Sequence, residues 1–468
     1  MQKKEQLAKN TIIITFSRLS TQLVNFFLLP VYTSLLSTEE YGIVDLITTY
    51  VSLLTPIISL QLESAVFRFL IDVRKNVEKK REYISTVIFG IFAQVSITLI
   101  IFGALSLFIN SSYSFYLLFN VLVHVFALIV LQISRGFGDN ITYAIGNAII
   151  SISMTVLNII FVVFLRLGID GILMGYFLAN MMAVIFVFFR KKLYQYISIK
   201  EFNFQSYKDL LKYSVPLVPN QLSWWVINAS DRSIISIFLG VSANGIYAAS
   251  NKFSSVFIQL YNIFNLAWQE SASLYIDEEE SEDFFNDTIN AMFNIFLSIC
   301  LLIISILPFV FPLFVNEKFS EAYVHIPILL LATLFNVVIG LISVVYIAKK
   351  LTRKVANTSI LSGIINIVIS LSLINTIGLF AASLSTLIAY FCLMILRYKD
   401  VQKYMRIRFD KRTVTSSIIV MIILLFSYYS GEIILQVIMI VVIVGYVLLL
   451  NFSTISDVYE VIKNRFSK

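Results

Sequence analysis

The chain has 468 residues, 58% of them hydrophobic and 13% charged, with a formal net charge of +7. So apolar a balance excludes the soluble multi-domain class and makes the bilayer the solvent. The positive charge does not mark a nucleic-acid binder, because the bases lie in loops between apolar runs.

Apolar runs of about 20 residues, the length that crosses a bilayer, lie near residues 10–36, 41–70, 83–109, 113–134, 141–165, 171–189, 213–239, 244–268, 288–315, 322–347, 356–375, 378–396, 413–430 and 433–452. They predict a polytopic protein of about 14 transmembrane helices without a cleaved signal peptide. Prolines interrupt several runs, which membrane helices tolerate where neighbours satisfy the freed carbonyls. Cys300 and Cys392 lie inside apolar runs, which argues for packing roles rather than a disulfide or a metal site. With the N-terminus inside, the inner segments carry 29 of the 35 Lys and Arg, whereas the outer loops carry only Arg166 and Lys318. That bias sets orientation, so both termini are expected in the cytoplasm. The outer loops are all too short for a catalytic domain. The inner loops 71–82, 190–212 and 397–412 mix apolar residues with bases, the pattern of short amphipathic segments on anionic lipid.

The sequence also echoes itself. At an offset of 203, Ser34–Val44 overlies Ile237–Tyr247 and Asn25 overlies Asn228, and at an offset near 210, Leu167-Gly168 overlies Ile377-Gly378. Two copies of one helical unit with the same membrane orientation are implied, related by an axis along the membrane normal. The expected architecture is an all-α polytopic membrane protein with two pseudo-symmetric six-helix lobes around a central cavity. Its divisions are an N-lobe at 1–190, a basic cytoplasmic linker at 191–212, a C-lobe at 213–397, and two further helices with a cytoplasmic tail at 398–468.

Four spans carry polar stripes at helical spacing. The first has Thr11, Thr15, Arg18, Gln22 and Asn25; the second has Asp45, Thr48, Ser52, Ser59 and Glu63, with Arg68 beyond. The seventh has Gln221, Trp224, Asn228 and Asp231, with Arg232 next in sequence, and the eighth has Lys252, Ser255, Gln259 and Asn262. Neutral residues in such stripes also serve as glue between helices. A charge at the bilayer centre costs about 2.5–3.5 kcal/mol on insertion scales, which points to a working role. The adjacent Asp231 and Arg232 point about 100° apart on a helix, so Asp231 is expected to face the cavity rather than its neighbour. Arg18, Arg68, Arg232 and Lys252 set against Asp45, Glu63 and Asp231 make a slightly cationic chamber, suited to an anionic or pyrophosphate-bearing substrate. The acids either pair with those bases or hold H⁺ or Na⁺ as a coupling ion. His124 and His325 read as packing or hydrogen-bonding residues. The absence of a Walker A pattern argues against ATP hydrolysis by this chain.

The run from Asp231-Arg232 through Ile234-Ile235 to Phe238-Leu239-Gly240, then Gly245-Ile246-Tyr247, Lys252 and Trp268, resembles the polysaccharide-biosynthesis flippases of the multidrug/oligosaccharidyl-lipid/polysaccharide exporter superfamily. So do the stretches 29–36, 40–45 and 62–69. Gln269-Glu270 departs from the proline that relatives often have after Trp268. The resemblance implies alternating access by two six-helix lobes that move an undecaprenyl-pyrophosphate-linked oligosaccharide between leaflets of a bacterial cytoplasmic membrane. It implies that cations on the first, second, seventh and eighth helices serve the pyrophosphate and sugars, with membrane lipids and a polysaccharide polymerase and chain-length machinery as partners. No cofactor, metal or nucleic acid is expected. Two rivals are a cation-coupled multidrug antiporter of the same superfamily, whose cavity should be acidic, and a membrane polysaccharide polymerase or ligase, which needs a large outer loop.

Overall fold

Within hydrocarbon every backbone N–H and C=O must find its partner inside the protein, which leaves helices as the solution for a chain patterned like this one. The computed structural model describes residues 26–106, 113–276, 278, 281–349, 351–452 and 456, and among them helices are the only long regular element. In order they are α1 (Leu29–Leu35), α2 (Thr38–Ser59), α3 (Leu62–Asp72), α4 (Val77–Ser106), α5 (Ser114–Gly136), α6 (Asn140–Asn158, continued by a π-helical turn to Phe164) and α7 (Gly168–Arg190). There follow α8 (Phe204–Ser214), α9 (Val218–Phe238), α10 (Val241–Tyr275), α11 (Ser281–Phe314), α12 (Ala322–Ala348), α13 (Thr352–Ile377), α14 (Leu379–Val401), α15 (Lys411–Ser430) and α16 (Ile433–Leu450).

Among the described residues 11 helices are long and apolar enough to cross a membrane, against the 14 spans expected. The first expected span lies mostly outside the described residues. The seventh and eighth are present as α9 and α10, but neither is among the 11. Their interleaved Asn, Gln, Ser and charged residues dilute the apolar surface that such a span needs.

The chain divides into two compact units, Met1–Ser233 and Ile234–Lys468, with the division inside α9 rather than in the 191–212 linker. In the first unit α5 packs on α2, α3, α6 and α7; in the second α12 packs on α10, α11 and α14. α12 is the core of its unit, with 72% of its apolar window buried, against 17% for α16.

Both sequence echoes fall on matching backbone features. Adding 203 to Thr38, the start of α2, gives Val241, the start of α10, and adding it to Asp72, the end of α3, gives Tyr275, the end of α10. Gly168 and Gly378 enter α7 and α14 at φ +55° and +57°, a region an L side chain occupies only with strain. Interhelical contacts repeat as well. His124 on α5 bonds Asn180 on α7 at 3.3 Å, and His325 on α12 bonds Ser383 on α14 at 3.3 Å.

One expectation is corrected. Residues 41–70 were read as one continuous span, but the helix breaks at Leu60 and Gln61, with φ of 48° and 58°. Two successive non-glycine residues in the left-handed region end one helix and start another. The Ser59 hydroxyl accepts the Gln61 N–H at 3.1 Å and so takes up one donor freed at the break. The corresponding stretch of α10 is continuous.

The loops are less available to lipid than their composition implies. The 191–212 segment is tied to α4: Ser198 N donates to Ser85 Oγ at 3.0 Å, Asn203 N to Thr86 Oγ1 at 3.1 Å, and Gln94 Nε2 to the Tyr207 hydroxyl at 3.1 Å. Residues 405–409 are amphipathic without being helical: Met405 and Ile407 are buried while Arg406 and Arg408 are exposed, the two-residue alternation of extended backbone. Two amides of α11 grip that backbone, with Asn286 Nδ2 donating to Arg406 O at 3.0 Å and Asn290 Nδ2 to Arg408 O at 2.8 Å.

At the entry to α6, Asp139 accepts the Thr142 N–H at 2.9 Å and pairs with Lys191 Nζ at 2.6 Å, fastening the start of α6 to the end of α7. Burial works to raise this carboxyl's pKa, but the Lys191 ammonium and the Thr142 donors outweigh it and hold it down to about 2. A depressed carboxyl stabilises the fold above its unfolded value and loses that contribution as pH falls through the folded one. Asp139→Asn, which can still cap the helix but loses the Lys191 ion pair, is therefore expected to cost about 1 kcal/mol at pH 7. In thermal unfolding in detergent, the gap to the wild-type protein should close as pH falls from about 4 toward 2.

Candidate functional site

The polar residues of α2 and α9 meet within the first unit. α2 presents Asp45, Thr49 and Tyr50; α9 presents Trp225 and, two turns later, Arg232 and Ser233. Arg232 Nε donates to Asp45 Oδ2 at 2.8 Å, with side-chain exposures of 16% and 14%. Trp225 Nε1 donates to the Thr49 carbonyl at 3.0 Å, the Tyr50 and Ser233 hydroxyls lie 3.2 Å apart, and the Tyr50 and Trp225 rings stack at 6.4 Å. A cation and an anion brought together amid apolar helices offset each other's desolvation, which neither could bear alone.

The other expected site residues are distributed as follows. Arg18, Gln22 and Asn25 lie outside the described residues, and the side chain of Asn228 is not described. Asp231 is buried, Trp224 is 59% exposed, and Lys252 is half-buried on α10. Gln259 accepts a hydrogen bond from Asn262 at 3.4 Å. Arg68 turns outward and pairs with Asp72 one helical turn on, at 2.7 Å, with both side chains about half exposed or more (48% and 63%). Glu63 is 5% exposed just past the Leu60–Gln61 break, and its Oε2 has no hydrogen-bond partner among the described residues. Of the seven charged residues expected to share one chamber, the structure thus joins Asp45 with Arg232, ties Arg68 locally, and buries Glu63 without an ion pair among the described residues.

Sequence reading missed the most heavily hydrogen-bonded base of the second unit. Arg397, 4% exposed in the last turns of α14, donates to Thr358 Oγ1 at 3.0 Å, Ser343 Oγ at 2.7 Å, Val355 O at 3.0 Å and Ser359 Oγ at 2.7 Å. It thereby joins α12, α13 and α14 with neutral acceptors alone. Its position at the edge of an apolar run looked like an ordinary loop base. The hydroxyls at Ser343, Thr358 and Ser359, on two neighbouring runs, were the available signal.

Solved structures share this architecture. An inward-facing multidrug resistance MATE family transporter of the MOP superfamily superposes with a TM-score of 0.68 at 14% identity, covering 83% of this chain and 97% of that one. The lipid II flippase MurJ, in an inward closed conformation, gives 0.69 at 15% identity and covers 97% and 100%. A Vibrio cholerae MATE transporter variant gives 0.56 at 14%, covering 86% and 98%. A search of curated proteins by sequence returned no match. The fold is accordingly that of the MATE and MurJ membrane transporters, and this is a multi-span membrane protein. The sequence profile described as "Polysaccharide biosynthesis protein" matches residues 7–269, more than half of the chain. The chain belongs to that polysaccharide biosynthesis protein family.

The Asp45–Arg232 pair makes a direct prediction. Asp45→Ala or Arg232→Ala alone should each destabilise the protein by about 3 kcal/mol, since each removes the opposite charge from a largely buried one. Asp45→Ala/Arg232→Ala together should cost less than the sum of the two. Thermal denaturation in detergent, analysed as a double-mutant cycle, measures the coupling.

Proposed function

We propose that the protein is a flippase that carries an undecaprenyl-pyrophosphate-linked oligosaccharide, a repeat unit of a capsule, O-antigen or similar surface polysaccharide, from the inner to the outer leaflet of a bacterial cytoplasmic membrane. The observation that carries this reading is the family match over residues 7–269, which spans the four bases expected to serve the headgroup: Arg18, Arg68, Arg232 and Lys252. A lipid II flippase among the structures of the same fold supports a lipid-linked saccharide as the class of cargo.

In this reading the sugar headgroup passes through a polar chamber while the polyprenyl tail stays in lipid. Arg and Lys suit the pyrophosphate, the first through a planar fork of donors and the second as a point charge. Arg232 and Arg68 already hold the carboxylates of Asp45 and Asp72, and either exchanges that partner when a phosphate takes the same nitrogen. Such an exchange favours a release step, because the carboxylate competes with the departing headgroup. Glu63 is the acid assigned to H⁺ or Na⁺ coupling, since it is buried without a base in hydrogen-bond contact among the described residues. Both termini face the cytoplasm, as the basic loops require, and the polymerase and chain-length machinery act on the product outside.

Two substitutions test the reading. Arg18→Ala and Lys252→Ala should each abolish surface polymer while the protein's membrane level stays that of wild type, read by polymer immunoblot beside membrane-fraction quantitation. Wild-type polymer in both variants would overturn the charge assignment. A deletion strain with normal polymer and raised drug sensitivity would instead favour multidrug antiport.

A further inference from the structure

The second unit holds a cavity of about 860 Å³ that none of the site residues above touches. It is walled by α11, α12, α14 and α15 through side chains such as Phe335, Met394, Val414 and Ile422, with Lys399 and Lys411 also in its lining. The volume is near the upper end of the roughly 300–1,000 Å³ usual for ligand sites. Such space between helices facing hydrocarbon fills with something apolar, because a void forfeits the contacts of its walls.

The depth of the cavity identifies the occupant's length. Along α15 the lining runs from Lys411 to Ile422, and along α12 from Leu331 to Ile342, about 16 Å in each case at about 1.5 Å per residue. That is about half the 30 Å hydrocarbon core, one leaflet deep. The groove therefore begins at the 402–410 loop and ends near the bilayer midplane.

The charges at its mouth identify the headgroup. Neither Lys399 nor Lys411 makes an ion pair or a hydrogen bond among the described residues, and both are exposed. The neighbouring acids are already engaged: Asp400 binds Lys354 at 2.9 Å and Lys403 at 3.0 Å, and Asp410 caps α15 by accepting from Arg412 N at 3.1 Å and Thr413 Oγ1 at 2.8 Å. Glu282 and Asp283 lie in a separate polar depression with Arg408. Two unmatched ammonium groups above an apolar slot one leaflet deep complement an anionic head on acyl chains.

We propose that this groove binds an anionic glycerophospholipid of the leaflet beside the 402–410 loop, with its acyl chains against α12, α14 and α15 and its phosphate at Lys399 and Lys411. This inference does not depend on which substrate the protein moves. A slot about one leaflet deep matches the length of an acyl chain, and the two lysines match a phosphate, so the occupant assigned is a membrane lipid rather than the cargo.

The test uses the full-length protein in nanodiscs containing phosphatidylglycerol and phosphatidylcholine in equal amounts, with the lipid retained after detergent extraction quantified by mass spectrometry. The wild-type protein should retain phosphatidylglycerol over phosphatidylcholine by about 30-fold, the preference two surface lysines confer. Lys399→Gln/Lys411→Gln should bring that ratio to near unity, and Val414→Trp, which fills the slot, should lower retention of both lipids. If the tryptophan variant does not fold, the lysine pair alone decides, because its exposed side chains are not part of the packing. Equal retention in the wild-type protein, or an unchanged ratio in the lysine variant, overturns the proposal. So does displacement of phosphatidylglycerol by added undecaprenyl phosphate, which would make the groove a cargo-tail site.

Discussion

Hydrocarbon offers no hydrogen bonds, and that single constraint sets what every polar atom in this protein must do. It makes the backbone helical almost throughout, and it turns each hydroxyl, amide and charge on those helices into an obligation another side chain must meet. His124 with Asn180, His325 with Ser383, Trp225 with the Thr49 carbonyl, and Arg397 with its four acceptors are all settlements of that kind. They join helices in pairs or, at Arg397, in a group of three, and they carry positional specificity that interchangeable Leu, Ile and Val contacts cannot.

The charged settlements differ in kind. Asp45 and Arg232 neutralise each other, Arg397 disperses its charge over neutral oxygens across three helices, and Arg68 turns outward to Asp72. Only the first brings together two residues singled out for transport, and it does so between α2, which is apolar enough to cross a membrane, and α9, which is not among the 11 such helices. Polar content dilutes α9 and α10, whereas α12 and α16 stay greasy.

What the sequence made legible was periodic or repeated. The 203-residue offset anticipated the start of α10 from that of α2, and the Gly168 and Gly378 echo anticipated two helix entries of one conformation. The partners of buried charges were not legible, because Asp45 and Arg232 stand 187 positions apart and nothing local encodes their meeting. The break at Leu60–Gln61 was also hidden: neither residue is a turn former, and the apolar pattern runs through it. Arg68 pairing with Asp72, by contrast, follows the four-residue rule that any helix obeys.

The break at Leu60 and Gln61 separates the two copies of the repeat in a way composition does not. α10 covers the matching length as one rod, while α2 and α3 are two rods at a joint whose residues pay for their backbone angles. A joint held under tension can relax. Straightening it would swing the half-helix that bears Glu63 to a new azimuth, exchanging the carboxyl's enclosed seat for another outlook. Among the described residues, one copy of the repeat thus carries a joint where the other carries an unbroken rod, so a duplicated scaffold has diverged in backbone as well as in side chains.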